Sequence, residues 1–156
     1  MSTKEKNKAL IRHFYKSINE VNHLRQIIEP RTLEVGIKKA VNNIFTEFYT
    51  HNCCIHDTKG DRSLEDIIED TISYFTKFSG FRTTVEEMIA EANKVVTRWT
   101  MYVTYKDILL DITVSDKQHI INGTTISRME KGKVVEEWVF MERPSSIQQF
   151  EALPSR

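Results

Sequence analysis

Apolar residues recur at three- and four-residue steps through Leu10, Ile11, Phe14, Tyr15, Ile18 and Val21, with Lys8, Arg12, Lys16 and Glu20 between them. Such spacing gathers one apolar stripe and predicts an amphipathic helix. Pro30 interrupts it, and the same spacing returns at Ile37, Val41, Ile44, Phe45 and Phe48. A third helix is predicted over Leu64, Ile67, Ile68, Ile72, Phe75 and Phe78, with Ser63 as N-cap, Asp66 three residues on, and Ser79-Gly80 as its end. Beyond Gly80 the period falls to two. Runs through Val95 to Tyr105, His119 to Ser127 and Val135 to Met141 read as strands, with a lead-in at Thr83, Val85 and Glu87. Polar turns are predicted at residues 91–94 and 130–133, and at Ser115-Asp116-Lys117 after a shorter run from Ile108 to Val114. Behind Pro144, the stretch Ser145 to Phe150 suggests a short closing helix. Helices over about 4–78 followed by sheet over about 81–142 imply an α+β fold, a curved antiparallel-rich sheet packed against N-terminal helices in one domain.

Composition narrows the function classes. The chain has 156 residues, 40% hydrophobic and 28% charged, and a chain of this size buries about 68–70% of its unfolded surface without staples. Its 22 basic residues equal its 22 acidic ones, so net charge is zero and no nucleic-acid partner is expected. The longest apolar stretches, such as Ile108-Leu109-Leu110, fall far short of the ~20 residues of a membrane span. The charged start, Met-Ser-Thr-Lys-Glu-Lys, has no signal-like apolar core. A cytoplasmic protein without membrane association is expected. Adjacent Cys53 and Cys54 are expected as thiols. No Gly-rich phosphate loop, Gly-x-Ser-x-Gly elbow or paired-cysteine zinc spacing is present, so no cofactor is expected.

Three stretches carry a resemblance: Thr84 to Thr100, Gly123 to Trp138 with Gln148-Gln149, and Asn7 to Tyr15 with the pair His56-Asp57. Together they resemble the SnoaL-like polyketide cyclase family of the nuclear-transport-factor-2-like superfamily. The resemblance implies a cone-shaped α+β barrel enclosing an apolar pocket, homodimers, and a cofactor-free intramolecular aldol reaction. That chemistry asks for a base beside a carbonyl, donors for the enolate, and dry walls. The family's catalytic aspartate falls at Val139 and its partner histidine at Thr125, neither of which exchanges a proton at neutral pH. Residues 29–43 resemble an insertion that lengthens the second helical region, and Leu110 to Lys117 replace a glycine- and proline-rich turn.

The candidate catalytic residues are therefore His56, Asp57 and Glu137. His56 and Asp57 sit where the chain enters the sheet, either as a pocket base or as a structural histidine-carboxylate pair. Glu137 alternates with Val135, Val139 and Met141 toward the pocket side, where apolar neighbours would raise its pKa, unless Arg98 or Lys133 pairs with it. The expected pocket lining is Phe14, Tyr15, Phe75, Trp99, Met101, His119, Thr125 and Val139. No metal is expected, because alternation splits His51 and Cys53 from Cys54 and His56. Val96, Tyr102, Trp138 and Phe140 form an opposite apolar face suited to a homodimer. Two readings follow: a cyclase or isomerase acting on a small hydrophobic carbonyl compound, or a non-catalytic ligand-binding or dimerisation module that has lost the acid-base residues.

Overall fold

The first apolar stripe folds as helix α1 (Thr3–Glu20), opened by the Ser2 hydroxyl accepting from the Glu5 amide. A 3-10 turn and the one-turn α2 (Leu24–Ile27) lead to α3 (Pro30–Phe48), where Pro30 occupies the first helical position and needs no amide partner. Residues 30–43 lie within α3. The third stripe is α4 (Leu64–Lys77), whose Ser63 and Asp66 form the reciprocal capping box that their spacing predicts. The computed structural model describes residues 1–109 and 112–142.

Two strands interrupt the helical half. β1 (Tyr49–Asp57) and the three-residue β2 (Gly60–Arg62) form a hairpin between α3 and α4. Then follow β3 (Gly80–Glu91), β4 (Lys94–Leu109), β5 (Ile112–Glu130) and β6 (Lys133–Met141). The sheet order is β2-β1-β6-β5-β4-β3, antiparallel except for the parallel pair β1 and β6. The chain thus forms an α+β fold with a mixed, curled sheet. It is not a closed barrel, since β2 and β3 are free edges.

Ser115-Asp116-Lys117 is not a turn. These residues continue β5 and pair with Tyr105, Lys106 and Asp107 of β4. Backbone pairing in a hairpin arm is indifferent to a short polar run, which is why composition misled there. Between β5 and β6 the turn is Lys131 and Gly132, both with positive φ, at 49° and 77°. Two such residues match the strand twist of a two-residue hairpin loop. The expected helix over Ser145–Phe150 lies outside the described residues. No described helix is long and apolar enough to cross a membrane.

Helices and sheet meet in a core that includes Ile37, Val41, Phe75, Val95, Val103 and Ile121. The free edge of β3 is tied down from α1, where the Asn19 side chain accepts from the Thr83 amide at 2.8 Å and donates to the Thr83 carbonyl at 2.7 Å. Asn22 donates to the Phe81 carbonyl in the same way. One amide side chain so satisfies both orphan groups of an edge residue.

Gly123 sits opposite Trp99 across β4 and β5, and a Cβ there would lie 2.3 Å from the indole ring. The absent side chain lets the indole lie against the β5 backbone and donate from Nε1 to the Thr125 hydroxyl at 2.9 Å. Gly123→Ala should displace the ring and destabilise the fold by about 1–3 kcal/mol, as overpacking does. Thermal unfolding together with near-ultraviolet circular dichroism reads both effects. An unchanged Tm and an unchanged aromatic spectrum would contradict this role for Gly123.

Candidate functional site

The curled sheet and the helices enclose a cavity of about 160 Å³. Its walls are apolar and come from every layer: Phe14, Tyr15 and Ile18 of α1, Phe45 of α3, Tyr49 and Ile55 of β1, Ile67 and Tyr74 of α4, Phe81 of β3, Trp99 and Met101 of β4, and Val139 and Met141 of β6. Edge-to-face contacts of Phe14 with Phe45 at 5.3 Å and with Tyr49 at 5.3 Å join the α1, α3 and β1 walls.

One carboxyl group stands among these rings. Glu137 is 6% exposed, and its Oε1 accepts from the Tyr49 hydroxyl and from the Ser127 hydroxyl, both at 2.8 Å. No hydrogen bond among the described residues reaches Oε2, and Glu137 is part of the cavity lining. Burial pushes the Glu137 pKa from 4.5 up to about 7, against the opposing pull of the two hydroxyl donors. Burial, reinforced by the Glu137 charge, keeps the Tyr15 and Tyr49 hydroxyls protonated by raising both pKa values. Arg98 pairs with Glu87 and Lys133 reaches the Thr46 carbonyl, so neither candidate cation meets Glu137.

The other candidates divide. Thr125 and Val139 are direct cross-strand partners and both line the cavity, as do Phe14, Tyr15, Trp99 and Met101. Phe75 does not: it is fully buried against Phe81, with ring centroids 5.0 Å apart. On α4 the cavity takes Ile67, Asp70, Thr71 and Tyr74, and the next position turns about 100° away, into the core. His119 lies past Ile121 on β5 and is likewise not part of the lining. His56 and Asp57 are not a pair, because consecutive strand residues leave on opposite faces. His56 faces outward, with Nδ1 2.6 Å from Asp61 and Nε2 2.8 Å from Glu136. Asp57 faces the cavity mouth, where Arg62 bridges it at 3.2 Å to Asp70 at 2.6 Å.

Sequence reasoning missed Tyr49 and Ser127. Ser127 is the cross-strand partner of Glu137, and its parity with Thr125 was a usable signal. Tyr49 had none, since it arrives through the parallel docking of β1 on β6.

The sequence model of the SnoaL-like polyketide cyclase family matches residues 33–150. No curated protein matches the chain. Among solved structures, AclR from Streptomyces galilaeus is 18% identical, with 97% of this chain and 100% of that one covered and a TM-score of 0.66. IdmH from Streptomyces antibioticus is 13% identical over 94% of this chain and 99% of its own, with a TM-score of 0.67. A SnoaL-like polyketide cyclase from Agrobacterium tumefaciens is 15% identical over 96% of this chain and 98% of its own, with a TM-score of 0.58.

Burial of Glu137 predicts a pH signature in stability. Its carboxyl titrates at about 7 folded and near 4.5 unfolded. A raised folded-state value favours the native state below the unfolded pKa, and that contribution is lost as pH rises through about 7. The loss above that range is about 3 kcal/mol. Glu137→Gln keeps an acceptor for Tyr49 and Ser127 and carries no charge. Its Tm should exceed that of the unmodified protein at about pH 8.5 and lose the advantage near pH 4.5. Parallel stability curves across that range would show that Glu137 is not a buried, neutral-leaning acid.

Proposed function

The chain belongs to the SnoaL-like polyketide cyclase family, and on that footing we propose that it is a cofactor-free enzyme. It takes a proton from the carbon beside a carbonyl of a small hydrophobic compound, with Glu137 as the base. The observation that carries this reading is a buried carboxyl, Glu137, that lines a largely apolar cavity and whose pKa burial raises to about 7. A base with a pKa near the working pH combines a useful ionised fraction with proton affinity.

In the proposed step, the substrate's α-carbon hydrogen passes to Oε2 and the bonding pair moves onto the carbonyl oxygen as an enolate. Tyr15 and Thr125, which line the same cavity, offer hydroxyl donors to that oxygen. The enolate carbon then attacks a second carbonyl of the same molecule, and the proton on Glu137 returns to the new alkoxide. Tyr49 and Ser127 hold Oε1, so Oε2 is the oxygen that works. A cavity of about 160 Å³ favours one ring-sized group, since engineered sites of about 150 Å³ accept benzene.

Because the ligand is unidentified, the test uses simple aryl ketones in deuterated buffer and follows deuterium entry at the α-carbon by NMR. Exchange should rise with pH through about 7 and fall by roughly 10²–10⁴-fold in folded Glu137→Gln. Full exchange in that variant would remove Glu137 as the base. Binding without any exchange would favour the second reading, a non-catalytic pocket, which rests on Thr125 and Val139 standing where the family resemblance places acid-base residues.

The homodimer is part of the same proposal. Ile89, Ile120 and Phe140 are 59%, 53% and 59% exposed on strand positions opposite the cavity-facing set. Light scattering should report a dimer at micromolar concentration, and an Ile120→Glu, Phe140→Glu double variant should report a monomer. A monomeric unmodified protein would refute the assembly.

A further inference from the structure

We propose that the outer face of the β1–β2 hairpin is a zinc site, with Cys54 Sγ, His56 Nδ1 and the Asp61 carboxylate as ligands and water completing the shell. Strand alternation puts Cys54 and His56 on one face, and Asp61 is the cross-strand partner of His56 on β2. The three donor atoms all lie within 4.8 Å of one another. Cys54 Sγ is 4.0 Å from His56 Nδ1, which is 2.6 Å from Asp61 Oδ1. Tetrahedral zinc with its usual bond lengths separates such ligand atoms by roughly 3.3–3.7 Å. The thiol therefore moves in by a few tenths of an ångström, and the carboxylate moves out by less than one. Asp61, with a side chain 76% exposed, is free to make that move.

The rest of the histidine is already arranged for a ligand's role. Nε2 contacts Glu136 at 2.8 Å, and Glu136 is itself held by Arg128 Nε at 3.1 Å. A carboxylate on the far nitrogen fixes tautomer and ring plane and leaves Nδ1 for the metal. The ring also stacks on Trp138, with centroids 5.4 Å apart. Thiolate, imidazole and carboxylate together suit zinc better than the hard cations. On binding, the Cys54 thiol proton and any proton on Nδ1 leave to solvent, so affinity rises with pH. Cys53 points into the core from the opposite face and takes no part. Residues 51–57 alone could not supply this set, because the third ligand belongs to the other arm of the hairpin. The site lies outside the cavity and is independent of the proposed chemistry there.

The test titrates the full chain with Zn²⁺ alone by calorimetry and with Co²⁺ as an optical probe. One equivalent of Co²⁺ should give a thiolate-to-cobalt charge-transfer band and quench Trp138 emission, and Zn²⁺ should displace it and raise Tm. Cys54→Ser should abolish the band, and Cys53→Ser should keep it. Asp61→Asn, at an exposed side chain, should weaken binding at least tenfold. Glu136→Gln should weaken binding by about 10–100-fold, as loss of an outer-shell partner does. Absence of saturable binding overturns the proposal. So does a band that survives Cys54→Ser, or affinity unchanged in Asp61→Asn.

Discussion

A carboxyl group held out of water among the aromatic walls of a cavity is the constraint on which the other features turn. Burying a carboxylate without compensation is expensive, and proteins respond by neutralising it, pairing it or surrounding it with donors. Among the described residues no cation pairs with Glu137, and two hydroxyls serve instead. Hydroxyl donors stabilise the charged form less than a guanidinium would, so desolvation prevails and the pKa rises. An arginine in the same place would give a stable ion pair and a poor base. The donors must also come from two different strands, Tyr49 from β1 and Ser127 from β5, which requires both to flank β6. The parallel docking of β1 on β6 is thus what completes the acid's environment.

Strand alternation lets the same two strands carry separate chemistries. Ile55 is in register with Glu137 on the cavity side, while Cys54 faces Glu136 and His56 faces Trp138 on the other. The two carboxylates Glu136 and Glu137 are consecutive and shift in opposite directions. The His56 and Arg128 contacts hold Glu136 below its usual range, and burial lifts Glu137 above its own. A single strand's backbone, with water on one side and aromatic rings on the other, suffices for that difference. At the mouth, burial alone would raise Asp70, but Arg62 and Lys59 outweigh it and leave the carboxylate charged. The polar rim can therefore stay ionised at pH values where the interior acid is half neutral.

Local pattern exposed most of this architecture and little of its closure. Amphipathic spacing located α1, α3 and α4, and Ser63 with Asp66 marked a helix start, because those signals depend on neighbours within one turn. Period-two alternation let Thr125, Glu137 and Val139 be placed toward the cavity, and Ser127 could have been reached through its parity with Thr125. Tyr49 and Asp61 could not. The first reaches Glu137 through a pairing of strands some 80 residues apart, and the second meets His56 only once a three-residue edge strand has formed. Phe75 and Tyr74 show the same limit on a finer scale. Both lie on the buried side of α4, and the rotation that sends one to the cavity and the other to the core is set by how the helix packs.

The parity of β6 itself carries the last step. Glu130 pairs with Lys133 and Met129 with Val134, but the next pair is Arg128 with Glu136, so Val135 is an extra residue on β6. Counting by twos from buried Val134 without that bulge would turn Glu136 inward and Glu137 out. The single inserted residue reverses the face of everything beyond it. It brings Glu137 and Val139 to the cavity and leaves Glu136 outside with His56 and Arg128. Relative to Val139, the inward carboxyl sits one cavity-facing position closer to the bulge, about 7 Å along the strand. There its cross-strand neighbour is Ser127, 1% exposed, and its acid chemistry is set by aromatic walls, with no histidine partner. Within a strand of nine residues, one bulge thus decides which of two consecutive carboxyls faces the cavity.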